Sequence, residues 1–172
     1  MGSSTATSIG NGTVSRSLPA DLTAVRQARD VVQRVLATWQ AEEIFDDVVL
    51  VASELVANAL RHGIRVGQAR TQLTEQDGVQ ISLVSTGSHV ICAVTDPSEA
   101  PPVRRATDLL AGSGRGLQLV ESLSLCWGWT LLDGETDVAS AQGKVASAQG
   151  KSVWAIFPLG LSERCAQVVG AA

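Results

Sequence analysis

Glu54-Leu55-Val56-Ala57-Asn58-Ala59-Leu60-Arg61-His62-Gly63 carries an apolar and a polar pattern at once. With the residues before it, Val48, Ala52, Leu55 and Ala59 form a core-facing stripe for a helix expected over residues 43–61. Gly63 is placed to end that helix, because glycine enters the left-handed conformation of a helix terminus without a Cβ penalty. Glu54 and Asn58 lie one turn apart, roughly 40° around the axis at about 100° per residue, so carboxylate and amide share a face. Asp47 and Arg61 fall on the same polar face. A solvated helix face would explain these residues without any ligand. Asn is nonetheless a mediocre residue for a helix interior. Its side-chain carbonyl is a hard oxygen ligand suited to Mg²⁺, and a carboxylate one turn earlier can polarise a hydroxyl or a water. His62 reads as a structural or helix-dipole partner.

Upstream, Leu22, Val25, Ala28, Val32, Val35, Leu36 and Trp39 recur at helical spacing, with Asp21 as N-cap, and predict a helix over 21–40. Residues 1–17 are rich in Ser, Thr and Gly and read as a disordered tail rather than a signal peptide. Downstream, residues 79–85 and 89–95 alternate around Thr86-Gly87-Ser88 and read as an antiparallel hairpin. Residues 97–111 carry three prolines and read as a long, mobile loop. A helix over 117–126 and strands over 127–132 and 152–157 complete the order α, α, β, β, α, β, β. That order implies a two-layer α/β (α+β) sandwich, with helices on one face of a mixed, mostly antiparallel sheet. Val138–Lys144 is repeated as Val145–Lys151. Two copies are too few for a solenoid and read as a dispensable lengthening of a hairpin loop.

The chain has 172 residues, 45% of them hydrophobic, and a net charge of −4. One domain with a buried core fits that length. The acidic balance and the absence of Lys/Arg runs argue against direct nucleic-acid binding. No stretch is apolar enough to span a membrane, so a cytoplasmic protein is expected. The three cysteines, Cys92, Cys126 and Cys165, have neither metal nor disulfide spacing and read as incidental thiols.

Two further features carry chemistry. Asp96 ends a Val- and Ile-rich strand, where a carboxylate can accept a hydrogen bond from an exocyclic amine; an Asx-Pro turn accounts for it equally. Gly112-Ser113-Gly114-Arg115-Gly116 precedes a helix, where glycines and the helix N-terminus let backbone amides approach phosphate. A flexible hinge is the plainer account of the same glycines.

Taken in order, these segments resemble the GHKL ATPases, the superfamily of gyrase, heat-shock chaperone, histidine-kinase and mismatch-repair ATPases, over about residues 20–160. Residues 54–63 look like the N box, and Asp96 like the adenine-binding aspartate of the first Gly box. Residues 112–120 look like the second Gly box. Gly150-Lys151-Ser152-Val153 looks like the closing strand, with Ser152 where a threonine is usual. The fold implied is the histidine-kinase-like (Bergerat) ATPase fold over residues 18–160, with 161–172 as a C-terminal tail. Within the superfamily the chain is similar to single-domain anti-sigma-factor serine/threonine kinases of actinobacterial type.

The resemblance implies Mg²⁺ on Asn58, Glu54 as general base, and adenine at Asp96. It implies ATP phosphates held by Gly112, Gly114, Arg115, Gly116 and Leu117, with Ser152 also at the nucleotide. Expected partners are a sigma factor and an anti-anti-sigma protein, and a homodimer is left open. Where the family reads Asp-x-Gly-x-Gly, this chain reads Asp96-Pro97-Ser98-Glu99-Ala100, without glycine. A non-catalytic, ATP-gated interaction module is the alternative. A detached histidine-kinase catalytic domain is a weaker one, since the helix expected at 21–40 contains no His.

Overall fold

A computed structural model of the protein describes residues 11–63, 78–103, 116–133 and 149–160. Within them run β1 (Gly12–Leu18), α1 (Thr23–Trp39), α2 (Phe45–Asn58), β2 (Val79–Ser85), β3 (His89–Asp96), α3 (Gly116–Leu123), β4 (Cys126–Asp133) and β5 (Gln149–Pro158). The strands form a five-stranded sheet in the order β1-β2-β3-β5-β4. Every pairing among them is antiparallel.

The helices lie on one face of the sheet. Ala24, Ala28, Val32 and Leu36 form the buried stripe of α1. Leu22, assigned to that stripe from its spacing, precedes the helix and is 87% exposed. Asp21 turns the chain there, its Oδ1 accepting the Thr23 amide at 2.8 Å. In α2 the buried residues are Val48, Val49, Val51, Ala52, Leu55 and Val56. Across from them β2 offers Val79, Ile81 and Leu83, β3 offers Val90, Cys92 and Val94, and β5 offers Val153, Ala155 and Phe157. Each set is spaced by two, as a strand with one covered face requires. No described helix is long and apolar enough to cross a membrane.

The expected tail over residues 1–17 needs correction at its C-terminal end. Residues 12–18 form β1, paired with β2 from Gly12↔Ser85 to Leu18↔Val79. The strand had no apolar alternation to reveal it, because only Leu18 is buried. It is held by the backbone ladder and a 2.8 Å hydrogen bond between the Ser15 and Ser82 hydroxyls. The ends of the second helix also differ from expectation. A 3₁₀ turn over Glu42–Ile44 leads into it, and beyond Asn58 the chain widens into a π-helical turn over Ala59–Gly63, with Gly63 its last residue. The first heptad copy and most of the second lie outside the described residues; Gln149, Gly150 and Lys151 open β5.

Candidate functional site

The polar face of α2 looks onto a cavity of about 510 Å³ bounded by β3, β5, the Ala100–Val103 segment and the start of α3. Glu54 and Asn58 both line it and are half-buried. Arg61, one turn further, ties them together. Its Nη2 donates to Asn58 Oδ1 at 3.2 Å and lies 3.9 Å from Glu54 Oε2, while its Nε donates to the Ala57 carbonyl at 3.1 Å. The π-helical turn carries Arg61 and His62, both of which line the cavity. Such turns are rare and occur frequently at functional sites.

Gly116 begins α3 directly against this face. A Cβ at that position would stand 2.7 Å from Glu54 Oε2 and 3.4 Å from Asn58 Nδ2. The absence of a side chain is therefore what lets the N-terminus of α3 approach the carboxylate and the amide together. Leu117, the next residue, is buried and lines the cavity. Gly112, Gly114 and Arg115 lie outside the described residues.

Asp96 lies across the cavity from this helix face, on the helix-facing side of β3 and 3% exposed. Its Oδ1 accepts the Ser98 amide at 2.9 Å, closing a turn across Pro97, and Lys151 Nζ at 2.8 Å. Lys151 Nζ also donates to the Ser98 carbonyl at 3.2 Å. The Asp96 and Lys151 side chains retain only 2% and 6% of their exposure, so this is a buried ion pair. The two residues face each other across the β3–β5 ladder. Gly150 permits that approach: its φ is +135°, and a Cβ there would fall 2.1 Å from the Asp96 carbonyl oxygen and 2.8 Å from Pro97 Cα.

Glu54, Asn58, Asp96, Gly116 and Leu117 are thus brought to one cavity from three stretches of chain. Ser152, assigned to the nucleotide from the sequence, is not among the residues lining it. It pairs with Thr95 and Thr130 on the opposite face of the sheet. Strand alternation is the reason: Val153, Ala155 and Phe157 are the buried residues of β5, so Lys151 shares their face and Ser152 does not. Lys151 and Arg61 are the two charged residues at this cavity that were given no role there from the sequence. A lysine in phase with the buried residues of a strand was the signal available for the first. The described residues include no group of three or more His, Cys, Asp or Glu able to hold a metal alone.

Burial pushes the Cys92 thiol up to about 12, consistent with an inert core residue. Cys126 on β4 is exposed, and neither is in a disulfide.

Comparison with known proteins agrees with this geometry. Two of the solved structures that share the fold serve for comparison. One is the structure of the RsbU and RsbW domains of Rv1364c from Mycobacterium tuberculosis, with TM-score 0.57 and 19% identity over 86% of this chain. The other is the SiaB-SiaC complex from Pseudomonas aeruginosa, with TM-score 0.54 and 14% identity over 84% of this chain and 88% of that one. The chain spans only 32% of the length of that RsbU–RsbW chain. No curated protein matches the sequence. The family described as histidine kinase-like ATPase domain matches residues 18–125, a segment holding Glu54, Asn58, Asp96 and Gly116. On that match, and on a fold that assembles those residues around one cavity, the chain belongs to the histidine kinase-like ATPase domain family.

Proposed function

We propose that the cavity binds ATP with Mg²⁺ and that the protein transfers the terminal phosphoryl group to a serine of a partner protein, as a kinase of the anti-sigma-factor type. The observation that carries this reading is the convergence of Glu54, Asn58, Asp96 and Gly116 on one cavity. Asn58 Oδ1 would hold the metal, an oxygen that already faces the Arg61 guanidinium at 3.2 Å. Phosphate and water oxygens would supply the remaining ligands, a set that suits Mg²⁺, and the ion would neutralise phosphate charge. Gly116 and Leu117, at the start of α3, line the same space, and a helix N-terminus favours an anion. Asp96 Oδ2 is the acceptor for the base, since both bonds described for this carboxylate fall on Oδ1.

Glu54 takes the proton of the serine hydroxyl as that oxygen bonds to phosphorus and ADP leaves. A protein partner is supported by the related structures, one of which is a complex of SiaB with SiaC. Here the partner is proposed to be an anti-anti-sigma protein, with a sigma factor as the regulated target.

A second reading, an ATP-gated binding module without transfer, is favoured by one observation: Ser98 and Ala100 stand where the family places glycines, and the Ser98 carbonyl is engaged by Lys151 Nζ at 3.2 Å. The test mixes the protein with candidate anti-anti-sigma proteins and labelled ATP. Glu54→Gln should slow transfer by about 10²–10⁴-fold while leaving ATP binding nearly unchanged. Transfer at the wild-type rate removes Glu54 as base, and ATP binding without transfer to any candidate favours the binding module.

A further inference from the structure

We infer that Lys151 is a second base-reading residue, whose ammonium donates to N1 of adenine beside the bond from N6–H to Asp96. The pair would accept adenine nucleotides and reject those of the 6-keto purines, guanine and hypoxanthine. This rests on the nucleotide reading above and names the group that makes its base end selective.

An ammonium has three N–H bonds and no acceptor. Lys151 directs one to Asp96 Oδ1 at 2.8 Å and one to the Ser98 carbonyl at 3.2 Å. A third remains for an acceptor in the cavity, which Lys151 lines. Asp96 accepts both Lys151 Nζ and the Ser98 amide at Oδ1, which restrains the carboxylate and keeps Oδ2 for a donor. Because the two residues are direct partners across the β3–β5 ladder, that donor and that acceptor stand side by side. Both side chains are almost wholly buried, so water does little to satisfy a base edge that they fail to match.

The order of these two groups matches one base edge. Adenine carries a donor at position 6 and, next to it, an acceptor at position 1, on the side of the purine away from N9 and the ribose. With the phosphates at Asn58 and the start of α3, that side of the base reaches the Asp96 end, across the cavity. N6–H then meets Asp96 Oδ2, and N1 meets Lys151 Nζ. Guanine and hypoxanthine carry the reverse order, with O6 at position 6 and N1–H at position 1. Seated the same way, they set O6 against the carboxylate and N1–H against the ammonium. Two buried groups lose their partners at once, and unpaired buried groups are what produce strong rejection in polar sites. Asp96 alone opposes O6. Lys151 adds the second opposition and gives adenine a bond from a charged donor.

Calorimetric titration of the full chain with the Mg²⁺ complexes of ATP, 1-deaza-ATP, GTP and ITP tests this, with Lys151→Met run in parallel and its folding checked by thermal melt. 1-Deaza-ATP keeps the N6 donor and has C–H in place of N1, so it deletes the Lys151 bond from the ligand side. In the wild type 1-deaza-ATP should bind about 10–100-fold more weakly than ATP, the loss of one hydrogen bond from a charged donor. GTP and ITP should bind more than about 100-fold more weakly than ATP. In Lys151→Met the gap between ATP and 1-deaza-ATP should close to within about threefold, because neither ligand then has the bond. A merely structural lysine would weaken both ligands in the variant and leave the gap between them open, and that result overturns the role of Lys151. So does a wild type that binds 1-deaza-ATP within about tenfold of ATP, or GTP and ITP within about 100-fold; each leaves the ATP site standing. If the variant does not fold, the wild-type series decides the question by itself. Binding of none of the four overturns the nucleotide reading, and the assignment of Lys151 with it.

Discussion

Gly150→Ala is the substitution for which the structure gives the largest specific consequence. Two costs combine. The first is backbone strain: φ at Gly150 is +135°, a region side chains avoid, and holding a non-glycine residue there costs of order 1–3 kcal/mol. The second is collision. The new Cβ would lie 2.1 Å from the Asp96 carbonyl oxygen and 2.8 Å from Pro97 Cα, both on the main chain, so no side chain can swing aside. Overpacking of that kind costs about 1–3 kcal/mol. The sum, about 2–6 kcal/mol, corresponds to a fall in Tm of roughly 5–20 °C at ~2–4 °C per kcal/mol for a chain of this size. The chain can limit the damage by moving Gly150 and Lys151 away from Asp96 and Pro97 while keeping Ser152–Pro158 paired with β3, which sacrifices the Lys151–Asp96 ion pair. Thermal melts and amide exchange on the wild type and Gly150→Ala measure both effects. A Tm change below about 2 °C, with the Lys151 and Asp96 amides still protected, would refute the reasoning.

Other expectations concern the connection into β5 and the thiols. Deleting residues 138–144 leaves the sequence Val145–Lys151 in front of Ser152 and roughly halves the β4–β5 connection, worth only ~0.6 kcal/mol. Tm and nucleotide affinity should therefore stay nearly constant, and a collapse of either would mean that the extra copy contributes to the fold or the site. Cys126 should react with a thiol reagent in the native protein and Cys92 only after unfolding, as mass spectrometry of labelled peptides would show. The folded-state pKa of Cys92 is raised from 9.0 to about 12, so the unfolded chain loses that proton first. Stability should then fall between those pH values by about 1.4 kcal/mol per unit from this group, and Cys92→Ala should flatten that slope. An unchanged slope in urea melts of the variant would contradict the assignment.

The elements that the sequence revealed are those in which one face is buried. Both helices of the first half show the 3.6 period because Ala28, Val32 and Leu36, and Val48, Ala52 and Leu55, must all reach the same sheet. The β2–β3 hairpin shows the period of two for the same reason, with Gly87 at φ 83° in its turn. Strand β1 was hidden because an edge strand held by main-chain bonds leaves no apolar trace; Gly12–Ser17 includes no fully buried residue. The Glu54/Asn58 face and Asp96 could be found because a carboxylate or amide on an element that also carries a core stripe has to point somewhere specific. Lys151 was overlooked in favour of its neighbour Ser152, although the parity of β5 already placed the lysine with Val153 and Phe157. Its partner, 55 residues away in sequence, could only be identified once the register Asp96↔Lys151 was known.

The claim on which the account depends is that this cavity takes a nucleotide through Asn58 and a divalent metal. Isothermal calorimetry of ATP against the full chain, with and without Mg²⁺, tests it most directly, using the wild type and Asn58→Ala. Wild-type binding is expected with Kd in the range of about 1–100 μM. Mg²⁺ should strengthen that binding, and the Mg²⁺ dependence should disappear in Asn58→Ala, because the one protein oxygen assigned to the ion is gone. Absence of any heat or thermal shift at millimolar Mg-ATP, or a Mg²⁺ dependence that survives intact in Asn58→Ala, would contradict it.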